Sequence, residues 1–298
     1  MPIVRRLGVV VVVAFAAAGC RDVNAALAQL SEARHVAGDL LVEFSRAADA
    51  SNRAVMAESD ALSVTFAHEA DQAKQAVRKD VDALKPLLQD PKYADEARLL
   101  QEFVTRFAEY DGVDRHVLEL AVENTNLQAQ RVSFGPAQAA ADEFRDAVDA
   151  AAAAALAKDG WRAKAIAAAA IAAVCEIQVL QAPHIADAQD SAMAGIEARM
   201  AVAEAAARRA LETLQPIVPA AARPRLAAAS ASLDRFMAFN AQIVALSRRN
   251  TNVRSLALSL DQKRKLIAPC EDTLRALRDG LSKHGYPVGR SPDPSRKS

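Results

Sequence analysis

The chain contains the stretch Glu123-Asn124-Thr125-Asn126-Leu127 and, 126 residues later, the similar stretch Arg249-Asn250-Thr251-Asn252-Val253. Apolar residues in front of the two stretches match at the same shift: Tyr110 with Phe236, Val117 with Ile243, and Leu120 with Leu246. A further match has a shift of 130 and pairs Leu84-Lys85-Pro86-Leu87 with Leu214-Gln215-Pro216-Ile217. Matches that stay in phase predict two related structural units in one chain.

The composition around these stretches is typical of helices. Alanine is abundant, the chain has only 10 glycines, and aromatic residues make up 4%. Apolar residues recur at spacings of three and four, which predicts long amphipathic helices. One such series contains Phe103, Phe107, Tyr110, Val113, Val117, Leu120 and Leu127.

Turn residues and prolines divide the chain into four long segments. The breaks fall at residues 89–91, 158–160 and 218–224, and each contains proline or glycine. We expect Pro136, Pro183 and Pro269 to kink a helix or to start a new one.

The expected fold is all-α: an elongated antiparallel four-helix bundle built from two repeated helical hairpins. The first hairpin would comprise residues 20–158 and the second residues 159–283. Residues 284–298 are rich in Gly, Pro, Ser and basic side chains, which predicts a disordered tail.

The N-terminus has the pattern of an export signal. Arg5 and Arg6 precede an apolar stretch, and small residues lead up to Cys20. This order resembles the lipobox of bacterial lipoproteins, which implies that residues 1–19 are removed and that Cys20 carries acyl chains such as palmitate. Ala17 stands where that family usually has leucine. The alternative is an ordinary signal peptide with an incidental cysteine.

A lipid on Cys20 would place the protein in the cell envelope, anchored on the periplasmic side. Arg21 follows the cysteine and Asp22 comes only after it, which slightly favours the outer membrane. No other segment has 18 consecutive apolar residues, so we expect the lipid to be the sole membrane anchor.

Charge and motifs argue against several classes of function. Without Arg5 and Arg6 the chain has a net charge near −2, since 37 acidic residues then face 35 basic ones, and a nucleic-acid surface is not expected. Phosphate-binding, zinc-protease and haem motifs are absent, so we expect no enzyme, no cofactor and no metal. The one Glu-x-x-His sequence, residues 32–35, is too little for a di-iron site.

Cys175 and Cys270 are the remaining cysteines. Counting residues from the loop near 221 along two antiparallel helices places both thiols at similar heights, within about a turn. A disulfide between them is one interpretation. The other is two buried free thiols that pack as small hydrophobic side chains.

A polar layer interrupts the apolar series. Asn124 and Asn250 follow core positions on their helices, and the same counting places Asp60 and Asp190 at similar heights. One interpretation is structural, because a buried polar layer fixes the register of helices. The other is a site for a small polar ligand or ion, with His184, Arg131 or Arg254 nearby.

Two stretches resemble the extracytoplasmic four-helix sensor domain of methyl-accepting chemotaxis receptors: residues 183–188, Pro-His-Ile-Ala-Asp-Ala, and residues 248–256, which contain the second Asn-Thr-Asn. The resemblance implies a ligand-sensing helical bundle or coiled coil without its own transmitter. We therefore expect a lipid-anchored binding or sensory module that acts through a membrane-spanning partner, or as a homodimer. The alternative is a structural or interaction lipoprotein without a small ligand.

Overall fold

A computed structural model describes the backbone of residues 4–284 and the side chains of residues 24–284. The side chains of the predicted signal, Cys20 itself and the tail from residue 285 lie outside this description. Within it, every regular element is helical and no strand occurs, so the prediction of an all-α helical bundle is confirmed.

Ten α-helices follow one another along the described chain: α1 Val4–Val55, α2 Asp60–Leu87, α3 Ala94–Glu123, α4 Thr125–Val132, α5 Gln138–Ala153, α6 Gly160–Ala186, α7 Asp190–Leu214, α8 Arg223–Arg249, α9 Thr251–Leu258 and α10 Arg264–Lys283. Short 3-10 turns at Pro91–Tyr93 and Ala220–Ala222 precede α3 and α8. Turns of π-helix at Ser133–Ala137 and Ser259–Lys263 join α4 to α5 and α9 to α10.

All four expected segments are interrupted, and the first and third each consist of a pair of helices. In the first segment α1 ends at Val55, and the hydroxyl of Ser59 accepts a hydrogen bond from the backbone of Leu62 at the start of α2 (3.3 Å). In the third, Asp187 leaves the helical conformation after α6, and its carboxylate accepts from the backbone of Gln189 (2.8 Å). Such local side-chain bonds compete with a continuous helix. Residues 56–59 and 187–189 contain no proline or glycine, so these two breaks were not predicted from the sequence.

The chain divides into two compact units. Unit 1 comprises residues 1–54, 64–116 and 258–298, and unit 2 comprises residues 55–63 and 117–257. The compact units therefore do not follow the expected hairpins, 20–158 and 159–283, because each unit takes residues from both.

Unit 1 has one apolar core built from α1, α2, α3 and α10. Its centre is a group of aromatic rings on α1 and α3, whose centroids lie 5.2–6.1 Å apart: Phe44, Phe103, Phe107 and Tyr110. Cys270, Leu274, Leu277 and Leu281 close this core from α10. The guanidinium of Arg34 donates to the backbone carbonyls of Leu281, Ser282 and His284, which satisfies the C-terminal end of α10.

Unit 2 has a separate core to which α5, α6, α7 and α8 contribute. Larger residues such as Phe144, Ile177 and Phe236 are fully buried. Alanines on α5, α6 and α7 fill the space between them, which lets these helices pack closely. The α6 and α7 helices follow each other in the chain and make the most extensive helix pair of this unit.

The three prolines, which were expected to kink a helix or to start a new one, all lie inside helical turns. Pro136 lies in the first π-helical turn, Pro183 lies in the last turns of α6, and Pro269 lies inside α10. The α6 helix also has the length and composition of a membrane span, although a third of its most apolar stretch is buried inside the protein. No second segment of this kind was expected from the sequence.

Candidate functional site

The two Asn-Thr-Asn stretches meet in unit 2. Asn124 and Asn250 both adopt the left-handed conformation, with φ of 49° and 54°, so α3 and α8 end there and α4 and α9 begin one residue later. Asparagine is one of the few residues other than glycine that tolerates this conformation. The repeated asparagine is therefore explained by a backbone turn that recurs in both halves of the chain.

The two stretches cap each other's helices. The backbone N–H of Thr125 donates to the hydroxyl of Thr251, and that of Thr251 donates to the hydroxyl of Thr125, both at 3.1 Å. The backbone N–H groups of Asn126 and Asn252 donate in the same way to each other's side-chain oxygens, at 3.1 and 3.2 Å. The first N–H groups of a helix have no partner inside it, so each stretch satisfies the start of the other's helix.

Hydrogen bonds between side-chain amides also join the two stretches. Nδ2 of Asn126 donates to Oδ1 of Asn250 (2.9 Å), and Nδ2 of Asn252 donates to Oδ1 of Asn124 (2.8 Å). Asn124, Thr125, Asn126, Asn250 and Thr251 are all at least 95% buried. The arrangement has local pseudo-twofold symmetry, because exchanging equivalent residues 126 positions apart converts every bond between the two stretches into another of them.

The pseudo-twofold symmetry does not extend to the hydrogen bonds with the connection between α6 and α7. Asn126 and Asn250 also donate to the backbone carbonyls of Ile185 and Asp187, at 2.6 and 2.7 Å, and thereby hold the connection between α6 and α7. Asn252 makes no corresponding bond, and the buried Nδ2 of Asn124 has no hydrogen bond.

The structure brings together only half of the predicted polar layer. Asn124 and Asn250 are buried as expected, but Asp190 is exposed, 3.8 Å from Arg248, and Asp60 is partly exposed. Two hydrogen bonds of 2.8 Å from Arg131 hold the pKa of the Asp60 carboxyl below its usual value. Residue counting gives the height of a side chain but not the face of the helix that carries it, and both aspartates lie beside surface arginines instead of facing the core.

The polar layer around Asn124 and Asn250 is completed by residues other than the aspartates, namely Thr125, Asn126, Thr251 and Asn252. None of these four residues was among the predicted site residues. The repetition of the whole triplet was the signal that could have indicated their role. A turn that requires one asparagine explains Asn124 and Asn250, but it does not explain why the threonine and the second asparagine also repeat.

His184 lies in the polar interior of unit 2, close to where it was expected. Its Nδ1 lies 2.6 Å from the Ser247 hydroxyl, and its Nε2 lies 2.8 Å from the Glu197 carboxylate. Arg248 donates two hydrogen bonds to Glu197, and these bonds, followed by the contact with His184, lower the pKa of Glu197. Arg254, the other expected neighbour, is exposed on α9.

A pocket of about 370 Å³ adjoins the Asn-Thr-Asn pair. Several of its lining residues are equivalent positions of the two halves: Asn126 and Asn252, Leu127 and Val253, Gln130 and Leu256, and Val55 and Ile185. Ser133, Phe134, Ala182 and Ala186 complete the lining. None of these twelve side chains is charged. Phe134 is 76% exposed and stands at the mouth of the pocket on the first π-helical turn.

One wall of the pocket connects to a chain of buried polar groups. The hydroxyl of Ser133 donates to Oε1 of Gln181 (2.6 Å), and Nε2 of Gln181 donates to Oδ1 of Asn240 (3.0 Å). Gln181 and Asn240 are nearly inaccessible to solvent. This chain links the π-helical turn that carries Phe134 to α6 and α8.

Unit 1 contains a buried cluster of charges at equivalent sequence positions. Asp114 precedes Asn240 by 126 residues, and Ser51 precedes Gln181 by 130. The Ser51 hydroxyl donates to Asp114, and Nζ of Lys263 donates to Ser51 (2.7 Å) and lies 3.7 Å from Asp114. Lys74 donates to the other oxygen of Asp114 at 2.9 Å.

The two lysines of this cluster differ in pKa. Burial lowers the pKa of Lys263, and the charge of Asp114 only partly opposes that effect. Burial also acts to lower the pKa of Lys74, but its contacts with Asp114 and Asp71 outweigh it, so the pKa is raised. Lys263 and Asp114 are fully buried, so no substrate reaches them in this structure.

The disulfide interpretation for Cys175 and Cys270 is wrong, because both thiols are free. Cys175 is exposed on α6 in unit 2, whereas Cys270 is buried in the core of unit 1. Burial raises the pKa of Cys270 to about 12. The residue count treated the two cysteines as members of one hairpin, whereas they belong to different compact units.

The described side chains contain no group of three or more His, Cys, Asp or Glu residues that could hold a metal ion. His35, from the one Glu-x-x-His sequence, is exposed and lies 3.4 Å from Asp39. No known protein family, curated protein or solved structure matches the chain.

Proposed function

We propose that this protein is a lipid-anchored extracytoplasmic helical module that binds a small molecule in unit 2 and acts through a membrane-spanning partner. One observation carries the ligand-binding part: an uncharged pocket of about 370 Å³ opens beside the Asn-Thr-Asn pair. Pockets that hold small ligands have volumes of about 300–1,000 Å³, so its size is sufficient. The anchor is supported by the order Arg5, Arg6, apolar stretch and Cys20.

The proposal places the ligand beside the polar layer and not inside it. The reciprocal bonds use most of the polar groups of the two triplets, which leaves them few bonds to offer a polar ligand. A pocket between helices is compatible with a sensor domain like that of methyl-accepting chemotaxis receptors. The membrane-spanning partner would then supply the transmitter.

A thermal-shift screen of the full chain with small metabolites tests ligand binding. The matched variants are Ala186→Trp, which fills the pocket from an exposed position, and Val202→Trp on the exposed surface of α7. We expect a ligand to raise the melting temperature of the wild type and of Val202→Trp but not of Ala186→Trp. Equal shifts in all three proteins would contradict a site in this pocket.

The anchor is tested separately. Wild-type protein should incorporate labelled palmitate and sediment with membranes, and Cys20→Ala should do neither. Palmitate incorporation by Cys20→Ala would assign the lipid to another residue. If the wild type sediments with membranes but incorporates no palmitate, an uncleaved signal helix would be the anchor.

A structural envelope lipoprotein is the second candidate. The observation in its favour is the mutual capping of the two triplets, since a buried polar layer of this kind fixes helix register without any ligand. If the metabolite screen gives no shift in melting temperature and cells that carry Ala186→Trp grow like the wild type, the structural role is favoured.

A further inference from the structure

We infer that the pocket beside the Asn-Thr-Asn pair takes an uncharged molecule with a mainly apolar body and one hydrogen-bonding group, such as a medium-chain primary amide or alcohol. The inference rests on the proposed function and specifies the ligand class for the same site.

The lining disfavours a full charge on the part of the ligand that lies inside the pocket. None of the twelve lining side chains is ionisable, so a charged group in the pocket would lose its hydration without gaining a counter-ion. Neighbouring charges are already paired on the surface: Arg131 with Asp60, and Arg249 with Glu123, each at 2.8 Å. The exposed Arg254 follows Val253 in sequence but does not line the pocket.

The walls favour an apolar body. Val55, Leu127, Ile185 and Val253 line the pocket, and Phe134 and Leu256 are 76% and 38% exposed. A ligand that covers exposed aromatic and aliphatic side chains gains from the removal of apolar surface from water. A purely polar ligand would leave this surface unused.

The pocket also offers a limited set of hydrogen-bonding groups. Asn126 uses both Nδ2 protons, for Ile185 and Asn250, whereas Asn252 uses only one, for Asn124. The second N–H of Asn252 is therefore a donor for a ligand oxygen. The exposed Gln130 amide and the Ser133 hydroxyl, which retains acceptor capacity, add to this set. Such groups match one neutral polar group on an otherwise apolar ligand.

Photo-crosslinking of the full chain tests the ligand class. The probe is a decanamide that carries a diazirine in its chain, and the labelled residues are located by peptide mass spectrometry. We expect labelling within residues 127–134 and 252–256. Competition then uses unlabelled decanamide, decanoate and decylammonium, which share one chain length and differ in charge.

Decanamide should compete at concentrations at least about tenfold lower than either charged compound, because burial of an unpaired charge costs at least one decade of affinity. Decane, added as a fourth competitor, has the same chain length and no polar group, so Asn252→Leu should weaken competition by decanamide more than competition by decane. Ala186→Trp should abolish labelling of the two peptides, and Val202→Trp should not. Circular dichroism of each variant controls for folding.

The outcomes separate the ligand class from the site. If decanoate or decylammonium competes best, for example through Arg254, the pocket binds ligand but the inferred class is overturned. If the label falls elsewhere, or if Ala186→Trp does not reduce it, the pocket is not the binding site, and the proposed function fails with it.

Discussion

Thr125 and Thr251 show how single residues determine the structure of unit 2. Each hydroxyl accepts a hydrogen bond from the first backbone N–H of the helix begun by the other, and the two hydroxyls lie 3.1 Å apart. Neither helix start has solvent to satisfy these groups, because both threonines are buried.

Replacement of Thr251 by valine should therefore lower the free energy of unfolding by about 1–3 kcal/mol, since it leaves the Thr125 N–H buried without an acceptor. Thr251→Ser keeps the hydroxyl and should cost less. Thr213→Val on the exposed surface of α7 is the control. Chemical denaturation measures all three, and equal losses for the valine and serine variants would contradict the capping role.

The buried charges of unit 1 lead to a second residue-scale prediction. Asp114→Leu leaves Lys74 and Lys263 facing an apolar side chain and should cost about 3–5 kcal/mol. Lys263→Met should cost far less or even stabilise, because burial already disfavours the charged form of Lys263. The double variant should be more stable than Asp114→Leu alone. If it is not, the charge of Lys263 is not what makes the loss of Asp114 costly.

The lowered pKa of Lys263 also predicts a pH dependence. The folded state binds this proton less tightly than the unfolded state, whose pKa is near 10.5. The wild type should therefore gain stability relative to Lys263→Met as the pH rises from 7 towards 10.5. Denaturation at several pH values measures both stabilities, and a wild type that gains nothing or loses stability relative to the variant as the pH rises would contradict the direction of the shift.

The two thiols should differ sharply in reactivity. Cys175 is exposed, whereas Cys270 is buried with a pKa raised to about 12, and the thiolate is the reactive form. Alkylation of the native protein should modify Cys175 and leave Cys270 unmodified. Cys270 should react only after denaturant is added. Peptide mass spectrometry measures both sites, and a Cys175–Cys270 disulfide peptide would contradict the structure.

At the scale of elements, the π-helical turns are the clearest departure from regular helices. They occupy Ser133–Ala137 and Ser259–Lys263, again 126 residues apart. A π-turn contains one residue more than the α-helical turn it replaces. Ala129 and Ala137, eight residues apart, thereby both face the core of unit 2.

Deletion of Gly135 should restore a regular helix and keep α5 in phase with the core, at a cost on the order of 1 kcal/mol. Deletion of the exposed Arg145 should cost several kcal/mol. It rotates the rest of α5 by about 100°, so that Val148 and Ala151 leave the core. Similar losses for the two deletions would show that the π-turn is not a tolerated insertion.

The sequence predicted the elements well where they depend on local spacing. The three- and four-residue spacing of apolar side chains correctly indicated helices throughout, and the loops near residues 90, 158 and 220 were located. The breaks at residues 56–59 and 187–189 were missed because Ser59 and Asp187 act through local hydrogen bonds, and serine and aspartate also occur inside helices.

At the scale of the whole molecule, each core is assembled from both halves of the sequence. The core of unit 1 combines α1, α2 and α3 with residues 270–281, and the core of unit 2 combines α5 with α6, α7 and α8. Neither of the expected hairpins contains a complete core.

Residues 20–158 and 159–298 should accordingly fail to fold when they are produced separately, and should form a folded complex when they are produced together. A full chain cleaved between residues 155 and 159 should keep its thermal transition, because the cut leaves both cores intact. Calorimetry measures the transitions. A cooperative transition in either separate fragment would contradict the shared cores.

By itself, the sequence determined that the chain is helical, that its two halves are related, and that the Asn-Thr-Asn stretches occupy equivalent places. These properties are encoded in spacings of a few residues and in identities that recur 126 positions later. Asn124 and Asn250 could be assigned to a buried layer for the same reason, since their positions continue the apolar series.

Only the tertiary structure decided which helices share a core, where Asp60, Asp190 and the cysteines lie, and that a pocket opens beside the repeated stretches. These outcomes depend on contacts between residues far apart in the chain, such as Arg34 with Leu281 or Thr125 with Thr251. Two related halves offer nearly equivalent apolar faces, so periodicity alone does not choose between their pairings. The buried groups that differ between the halves, Asp114 against Asn240 and Ser51 against Gln181, distinguish them through the partners that each requires.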